Sequence, residues 1–504
     1  AGMDTPPGAE PADILDTYPL SYYNPTYAWP RLESHARRHD NSPAAPFRQG
    51  RVMGGSSSIM GMVALRGTPD DYDGWAAQGA EGWGGANVLP FVRKLETDPD
   101  VQDEMHGSDG PVPITRLPRD RWPPFARGVL AWAQAGQMAD VADVNGEFRE
   151  GIATLPASRF ADRRASASIC YLGADVRARD NLTILADTEV ERLLIAEGRV
   201  TGIVARTPAG ERTFVAGETI LACGTLQSPT MLLRNGIGPG PALTALGLPV
   251  IADRPGVGAN LQNHQCVYLV AQLKRGAAQD AALNPHSVAS IRYSSQVEGC
   301  PALDMHIGVS SKTGWHALGR RLGALVPTVF KPASRGRIAL TSADRTVPAR
   351  IEFDYLTDER DRIRLAGAVE RAATILLSPE VRKLWHATRA KLLAGLFDTL
   401  PLAGKPVLAG LGKPGVDVAA IAADADLRNE FVKSSVAGVM HPAGACRMGR
   451  ADDPAAVTDS AGRVHGVEGL RVVDASIMPS VPRANTNIPT IMMAEKIAAG
   501  MVAE

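Results

Sequence analysis

The sequence predicts an α/β unit joined to an α+β unit in one chain of 504 residues, and three observations carry that prediction. The apolar run Ile220-Leu221-Ala222-Cys223 stops at Gly224 and gives way to "TLQSPTMLLRNGIG". A strand meeting a helix through a glycine turn is an α/β crossover. The middle third has strand signals in "LDMHIGVS", "GRIALTS" and "ARIEFDYL", then a helical period from about Asp358 with Ile363, Leu365, Ala366, Val369, Ala372 and Leu376 on one face. Sheet followed by helices is the α+β pattern. The C-terminal "GLRVVDASIMPSVPRANTNIPTIMMAEKIAAGMV" then returns to strand, turn, proline-rich bend and helix.

Taken in order, residues 1–50 are rich in proline, tyrosine and polar residues without a period, which predicts a long covering loop. "GRVMGGSSSIMGMVALRG" (50–67) has a glycine-serine turn followed by small and apolar residues that suit the start of a buried helix. From 183 to 222, short β-rich runs separated by "AEG" and "PAGE" predict an antiparallel meander ending in a buried strand. Ser228 and Pro229 then suit the cap and first turn of the next helix. No internal repeat or low-complexity tract is visible.

A chain of this length exceeds the usual single-domain size, so two or more compact units are expected. Lys plus Arg (53) nearly cancels Asp plus Glu (54), leaving no charge excess that would attract nucleic acid or an acidic membrane surface. A small molecule is the expected partner. The cysteines at 170, 223, 266, 300 and 446 are widely separated and odd in number, with neither metal-ligand spacing nor a disulfide pattern; they suit a reducing, cytoplasmic compartment. No apolar run approaches the ~18–20 residues that span a bilayer.

Several short motifs can carry chemistry. "MGGSSS" brings backbone N–H groups where a phosphate could approach, although glycine-serine turns are also ordinary tight loops. "LACGTLQSP" places a glycine turn where open α/β sheets bind nucleotides, and Asp474 in "VVDAS" is either a carboxylate for a ribose or ribityl hydroxyl or a plain cap. In "GVMHPAGACRMG" (438–449), Pro442 restricts His441 to extended backbone, so its ring is held in place as a general base or as a structural residue. Asn485 and Asn487 in "RANTNIPT" lie two apart, so in extended backbone both project to one side. One amide can then reach a substrate oxygen while the other fixes the loop.

Together these blocks resemble the glucose-methanol-choline (GMC) oxidoreductases. "GRVMGGSSSIMGMVALRGTPDDYDGW" and "GTLQSPTMLLRNGIGP" resemble the family's two signatures. "HPAGACRMG" and "DASIMPSVPRANTNIPTIMMAEKIA" resemble its C-terminal active-site blocks, with weaker similarity in "RPGVGANLQNH", "KPASRGRIAL" and "YLTDERD". The resemblance implies a Rossmann-like FAD-binding domain made of residues 1–120, 160–265 and 440–504, and a substrate domain of 121–159 and 266–439 built on an antiparallel sheet flanked by helices. It implies oxidation of a primary alcohol, with His441 as base, Asn485 on the substrate oxygen, and hydride transfer to the flavin. Gly54, Gly55, Ser57, Val190, Gly224, Asp474, Ala475 and Asn487 are implied around FAD.

Ile59 stands where some members attach flavin through histidine, so noncovalent FAD is expected, and Met60 stands where many have asparagine. Met440 and Met60 are expected to line the pocket, whose apolar character would suit an aryl or furan alcohol. The electron acceptor is oxygen or, in dehydrogenase relatives, a quinone; some members are non-redox hydroxynitrile lyases. Family members open with a βαβ unit of roughly 30 residues carrying GxGxxG. This chain opens at Ala1-Gly2, where that unit would end, so residues 1–504 alone are expected to bind FAD poorly or to misfold.

Overall fold

The computed structural model describes residues 2–386 and 417–503; part of the 266–439 segment thus lies outside the described residues. Its largest element is an eight-stranded sheet whose spatial order runs 437–438, 265–266, 322–329, 305–310, 287–293, 151–154 and 140–141, with 269–272 also paired to 322–329. The central strands Met305–Ser310 and Leu322–Val329 are almost wholly buried. This explains why their sequences read as continuous apolar runs without alternation.

The helix Glu359–Leu377 covers this sheet, capped by Asp358, whose carboxylate accepts from the Arg360 N–H. Leu365, Ala366, Val369, Ala372 and Leu376 are buried as the period predicted, but Ile363 is 45 % exposed. Two residues at ~100° each put Ile363 on the far side of the helix from Leu365. A buried charge cluster fixes the helix to the sheet. Asp361 accepts from Gln265 Nε2 (2.7 Å), the Ala333 N–H (2.9 Å), the Ser334 N–H (2.8 Å) and Arg364, which also donates to Asp304.

The strands in "GRIALTS" and "ARIEFDYL" belong elsewhere. Arg337–Ala339 and Arg350–Glu352 form a separate four-stranded sheet with Glu33–His35 and Ala44–Pro46. The first 50 residues are therefore more than a covering loop: they supply two strands, and Glu352 gathers His39 and Arg337 beneath them.

The meander forms as expected from Glu189–Ala196, Arg199–Thr207 and Gly210–Val215. The next strand, Thr219–Leu221, pairs in parallel with Leu470–Val472. It is only half buried: Leu221 faces the core, while Ile220 is 44 % exposed. The following helix, Gln227–Arg234, is not capped by Ser228, which lies inside it; the Ser228 hydroxyl accepts from the Cys223 N–H (3.1 Å) and donates to Asp474 Oδ2 (2.5 Å).

The glycine-serine segment gives only a 3-10 turn, Gly55–Ser58, because Gly54 and Gly55 take φ of 81° and 58°. The α-helix begins later, at Pro69, where Thr68 and Asp71 form a capping box. Asn487–Ala503 closes the chain and packs on Gly85–Leu95. Among the described residues no helix is long and apolar enough to cross a membrane.

Replacing Asp361 with alanine leaves Arg364, two backbone N–H groups and the Gln265 amide short of a buried acceptor. The expected cost is ~3–5 kcal/mol, read as a lowered midpoint in urea unfolding.

Candidate functional site

A cavity of about 1080 Å³ lies between the glycine turns and the large sheet. It is lined by all twelve residues expected at the base, around FAD and in the substrate pocket: Gly54, Gly55, Ser57, Met60, Val190, Gly224, Met440, His441, Asp474, Ala475, Asn485 and Asn487. That volume reaches the upper end of the ~300–1,000 Å³ usual for small-molecule sites.

Backbone surface dominates one end. A Cβ added to Gly55 would meet nothing within 4 Å, and one added to Gly224 only Gln49 Oε1 at 3.6 Å, so both glycines present bare backbone to open space. Ser57 holds the first turn: its hydroxyl donates to the Gly54 carbonyl (2.6 Å) and accepts from the Ala167 N–H (2.9 Å). Asp474 holds the second. Its Oδ2 accepts from the Gly224 N–H (2.9 Å) and from Ser228, and its Oδ1 from the Ser476 N–H (2.8 Å). The carboxylate is thus both a cap and a clamp across the parallel strands, and burial raises its pKa. A cradle of unblocked backbone at the ends of parallel strands fits the phosphate-bearing part of a dinucleotide. Ile59 does not face the cavity; it is buried with Ile14, Tyr27 and Val52.

At the other end, proton positions follow from acceptors that cannot change. The Pro482 carbonyl can only accept, so His264 Nε2, 3.0 Å away, must carry hydrogen. Burial pushes the His264 pKa down to about 3, so the ring is neutral and its Nδ1 bears a lone pair. His441 Nδ1, at 2.9 Å from that lone pair, must therefore be N–H. Burial, reinforced by the His264 ring, holds the His441 pKa well below its ordinary value, so His441 is neutral as well. Its Nε2 consequently presents a lone pair, where the Asn485 amide donates at 2.9 Å. The side chain facing the cavity is a proton acceptor with fixed orientation.

The backbone that carries this ring is held against strain. Met440 has φ of 63°, a left-handed conformation that a side chain disfavours. The Asn263 side chain accepts from the His441 N–H (2.9 Å) and donates to the Tyr355 hydroxyl (2.8 Å). The glycines of this segment serve that packing. A Cβ on Gly438 would stand 2.1 Å from the Tyr355 hydroxyl and 2.2 Å from Asn263 Nδ2, and one on Gly444 would meet Asn260 and Gln262. They admit protein neighbours.

The carbonyl that starts the relay is anchored in turn. Lys331 donates to Asp71 (2.8 Å), Ser480 (3.0 Å) and the Val481 carbonyl (2.9 Å). Asp71 also accepts from the Arg483 N–H, and Arg483 reaches Thr68. Burial alone would raise the Asp71 pKa, but Lys331 and Arg483 hold it lowered. Pro482 sits between these anchors. Sequence reasoning missed His264, Asn263 and this hub. "NLQNH" was the available signal for the first two, whereas nothing local joins Asp71 to Lys331.

Turns of bare backbone opening into one cavity with a fixed imidazole lone pair fit a dinucleotide-dependent oxidoreductase. The GMC oxidoreductase N-terminal profile matches residues 27–266 and the C-terminal one residues 332–494. The 5-(hydroxymethyl)furfural oxidase of Methylovorus sp. (strain MP688) is 38 % identical, covering 99 % of this chain and 92 % of that protein. An oxygen-dependent choline dehydrogenase of Chromohalobacter salexigens is 34 % identical, covering 95 % and 85 %. The crystal structure of pyridoxine 4-oxidase from Mesorbium loti superposes with a TM-score of 0.82 at 26 % identity, covering 100 % and 94 %. The chain belongs to the GMC oxidoreductase family, and its cofactor is FAD. It is an FAD-dependent enzyme that oxidises alcohols.

Two outcomes are expected. His264 and His306 are depressed to about 3 and His286 to about 4, against an ordinary 6.5. The unfolded chain therefore binds protons that the folded chain refuses below pH 6.5. Stability from these rings is fully present above 6.5 and lost as pH falls from 6.5 towards 3, read as a falling thermal midpoint. Second, His264→Leu removes the acceptor for His441 Nδ1–H and frees the other tautomer. Flavin reduction by alcohol should slow on the order of 10²-fold with a displaced acid limb of the rate–pH profile, while near-ultraviolet circular dichroism stays that of wild type.

Proposed function

We propose that the chain oxidises a primary aryl or furan alcohol to the aldehyde, with His441 as base, Asn485 holding the substrate oxygen, and oxygen as the final electron acceptor. The observation that supports this reading is the proton order of the histidine pair, which leaves a lone pair on His441 Nε2. His441 takes the hydroxyl proton there. Its Nδ1–H stays on His264, so the positive charge that forms is shared along the bond towards the Pro482 carbonyl. The Asn485 amide donates into the same space and lowers the energy of the developing alkoxide. When bound, FAD supplies the acceptor for the hydrogen and two electrons that leave the alcohol carbon.

Gly54, Gly55, Ser57, Val190, Gly224, Asp474, Ala475 and Asn487 are assigned to hold FAD, without a covalent link, since Ile59 offers no nucleophile and faces the core. They fall in 1–120, 160–265 and 440–504, the segments assigned to the cofactor domain; the substrate domain is 121–159 and 266–439. Met440, Met60, Val326 and Phe330 give the substrate space an apolar lining. This supports an aryl or furan group, as does the likeness to 5-(hydroxymethyl)furfural oxidase. Its five free thiols suit the cytoplasm.

A quinone acceptor is the second reading, favoured by the likeness to choline dehydrogenase. Anaerobic mixing of the holoenzyme with benzyl alcohol or 5-(hydroxymethyl)furfural should bleach the flavin, and His441→Ala should slow bleaching by ~10²–10⁴-fold. A near-normal rate in that variant removes His441 from the role. One hydrogen peroxide per alcohol in air supports oxygen; turnover only with an added quinone supports the dehydrogenase.

A further inference from the structure

The large sheet also forms the floor of the substrate space, and its register sets a length. On Met305–Ser310, His306, Gly308 and Ser310 line the cavity; opposite them on the next strand stand Thr328, Val326 and Ala324. Alternate residues on a strand share a face, so these six form one continuous strip. His306 marks the reacting end, stacked on Phe330, whose ring also lies 4.9 Å from the His264 ring. Apart from His306, the strip has no large side chain. At ~3.3 Å per residue, the four steps from His306 to Ser310 cover roughly 13 Å. A furan or benzene ring with one hydroxymethyl group is much shorter than that.

Beyond Ser310 stands Lys312, which also lines the cavity and is only 3 % exposed. Its ammonium donates to the Leu283 carbonyl (2.9 Å) and lies 5.0 Å from the centre of the Tyr18 ring. Among the described residues it has no carboxylate within ion-pair distance, unlike Lys331, which has Asp71. Asp16 attracts it only from beyond ion-pair distance, and burial lowers its pKa to about 8, which leaves it charged at neutral pH and without a contacting counter-ion. Next to it, Thr313 Oγ1 is buried, lines the cavity and has no hydrogen-bond partner. Neither group has a part in the proton relay at His441.

We propose that Lys312 and Thr313 form a recognition site for a carboxylate carried by the alcohol on the order of 10 Å from its reacting carbon. A bound carboxylate supplies the contacting counter-charge that the ammonium lacks and accepts from the Thr313 hydroxyl, while the small-residue strip leaves room for the linking chain. This rests on the alcohol-oxidising reading of the same cavity and adds to it a substrate class: hydroxymethyl aromatics with a carboxyalkyl tail.

The test uses the holoenzyme with 4-(hydroxymethyl)phenyl alkanoic acids of increasing tail length and their methyl esters. At one intermediate length, kcat/KM for the acid should exceed that for the ester at least tenfold, and Lys312→Met should bring the ratio close to one. A ratio near one at every length in the wild type, or an unchanged ratio in Lys312→Met, overturns the proposal and leaves Lys312 as a pin for the Leu283 loop. A second measurement does not depend on the variant or on turnover. Calorimetric titration of the wild type with the matching 4-methylphenyl alkanoate, which lacks the hydroxyl, should show saturable binding that weakens with salt; its methyl ester should not bind comparably. Binding of the acid without turnover of any alcohol would sink the proposed reaction and keep the carboxylate site. Turnover of benzyl alcohol with no binding of the acid would do the reverse.

Discussion

The constraint on which this structure turns is the permanent acceptor character of one peptide carbonyl, that of Pro482. Because it can only accept, the His264 hydrogen is fixed, then that of His441, and a lone pair is left over at Nε2. Each step needs a neutral ring, and burial is what keeps both rings neutral. A solvated pair would titrate near the ordinary histidine value and exchange tautomers freely. The low-polarity surroundings that make a histidine a weaker base also make its proton acceptor point in one direction.

Such a relay requires a carbonyl that does not move, and the Asp71 hub provides it. Asp71 belongs to the helix at Pro69–Ala77, Lys331 follows the strand Leu322–Val329, and Arg483 lies just after Pro482. A buried charge with its partners satisfied tolerates little displacement, since losing any partner strands the rest. Ser480 and the Val481 carbonyl are bound by the same lysine, so the whole bend from 480 to 483 is held on both sides. The strained Met440 backbone is retained in the same way, through Asn263 and Tyr355.

Much of this was legible in the sequence where the signal is local. Gly54, Gly55 and Gly224 marked tight turns, and all three take positive φ there. Asp358 announced a helix start, and the period behind it named the buried face apart from Ile363. Local signals misled where partners are distant. Ser228 looked like a cap because serine before proline usually is one; in the fold its hydroxyl is claimed by Asp474, 246 positions away. "GRIALTS" and "ARIEFDYL" read correctly as strands, but which sheet they join depends on Glu33–His35, far upstream.

By itself, then, the sequence determined the layered α/β and α+β character and the glycine turns, because each depends on backbone preference or pattern within a few residues; the candidacy of His441, Asn485 and the residues expected around FAD came from the resemblance of whole motif blocks to one family. Only the tertiary structure decided that these twelve positions line one cavity, that His264 sets the tautomer of His441, and that Asp71, Lys331 and Arg483 meet. Hydrogen-bond direction and ion pairing act over about 3 Å in space but across hundreds of positions in the chain, and no local pattern encodes that distance.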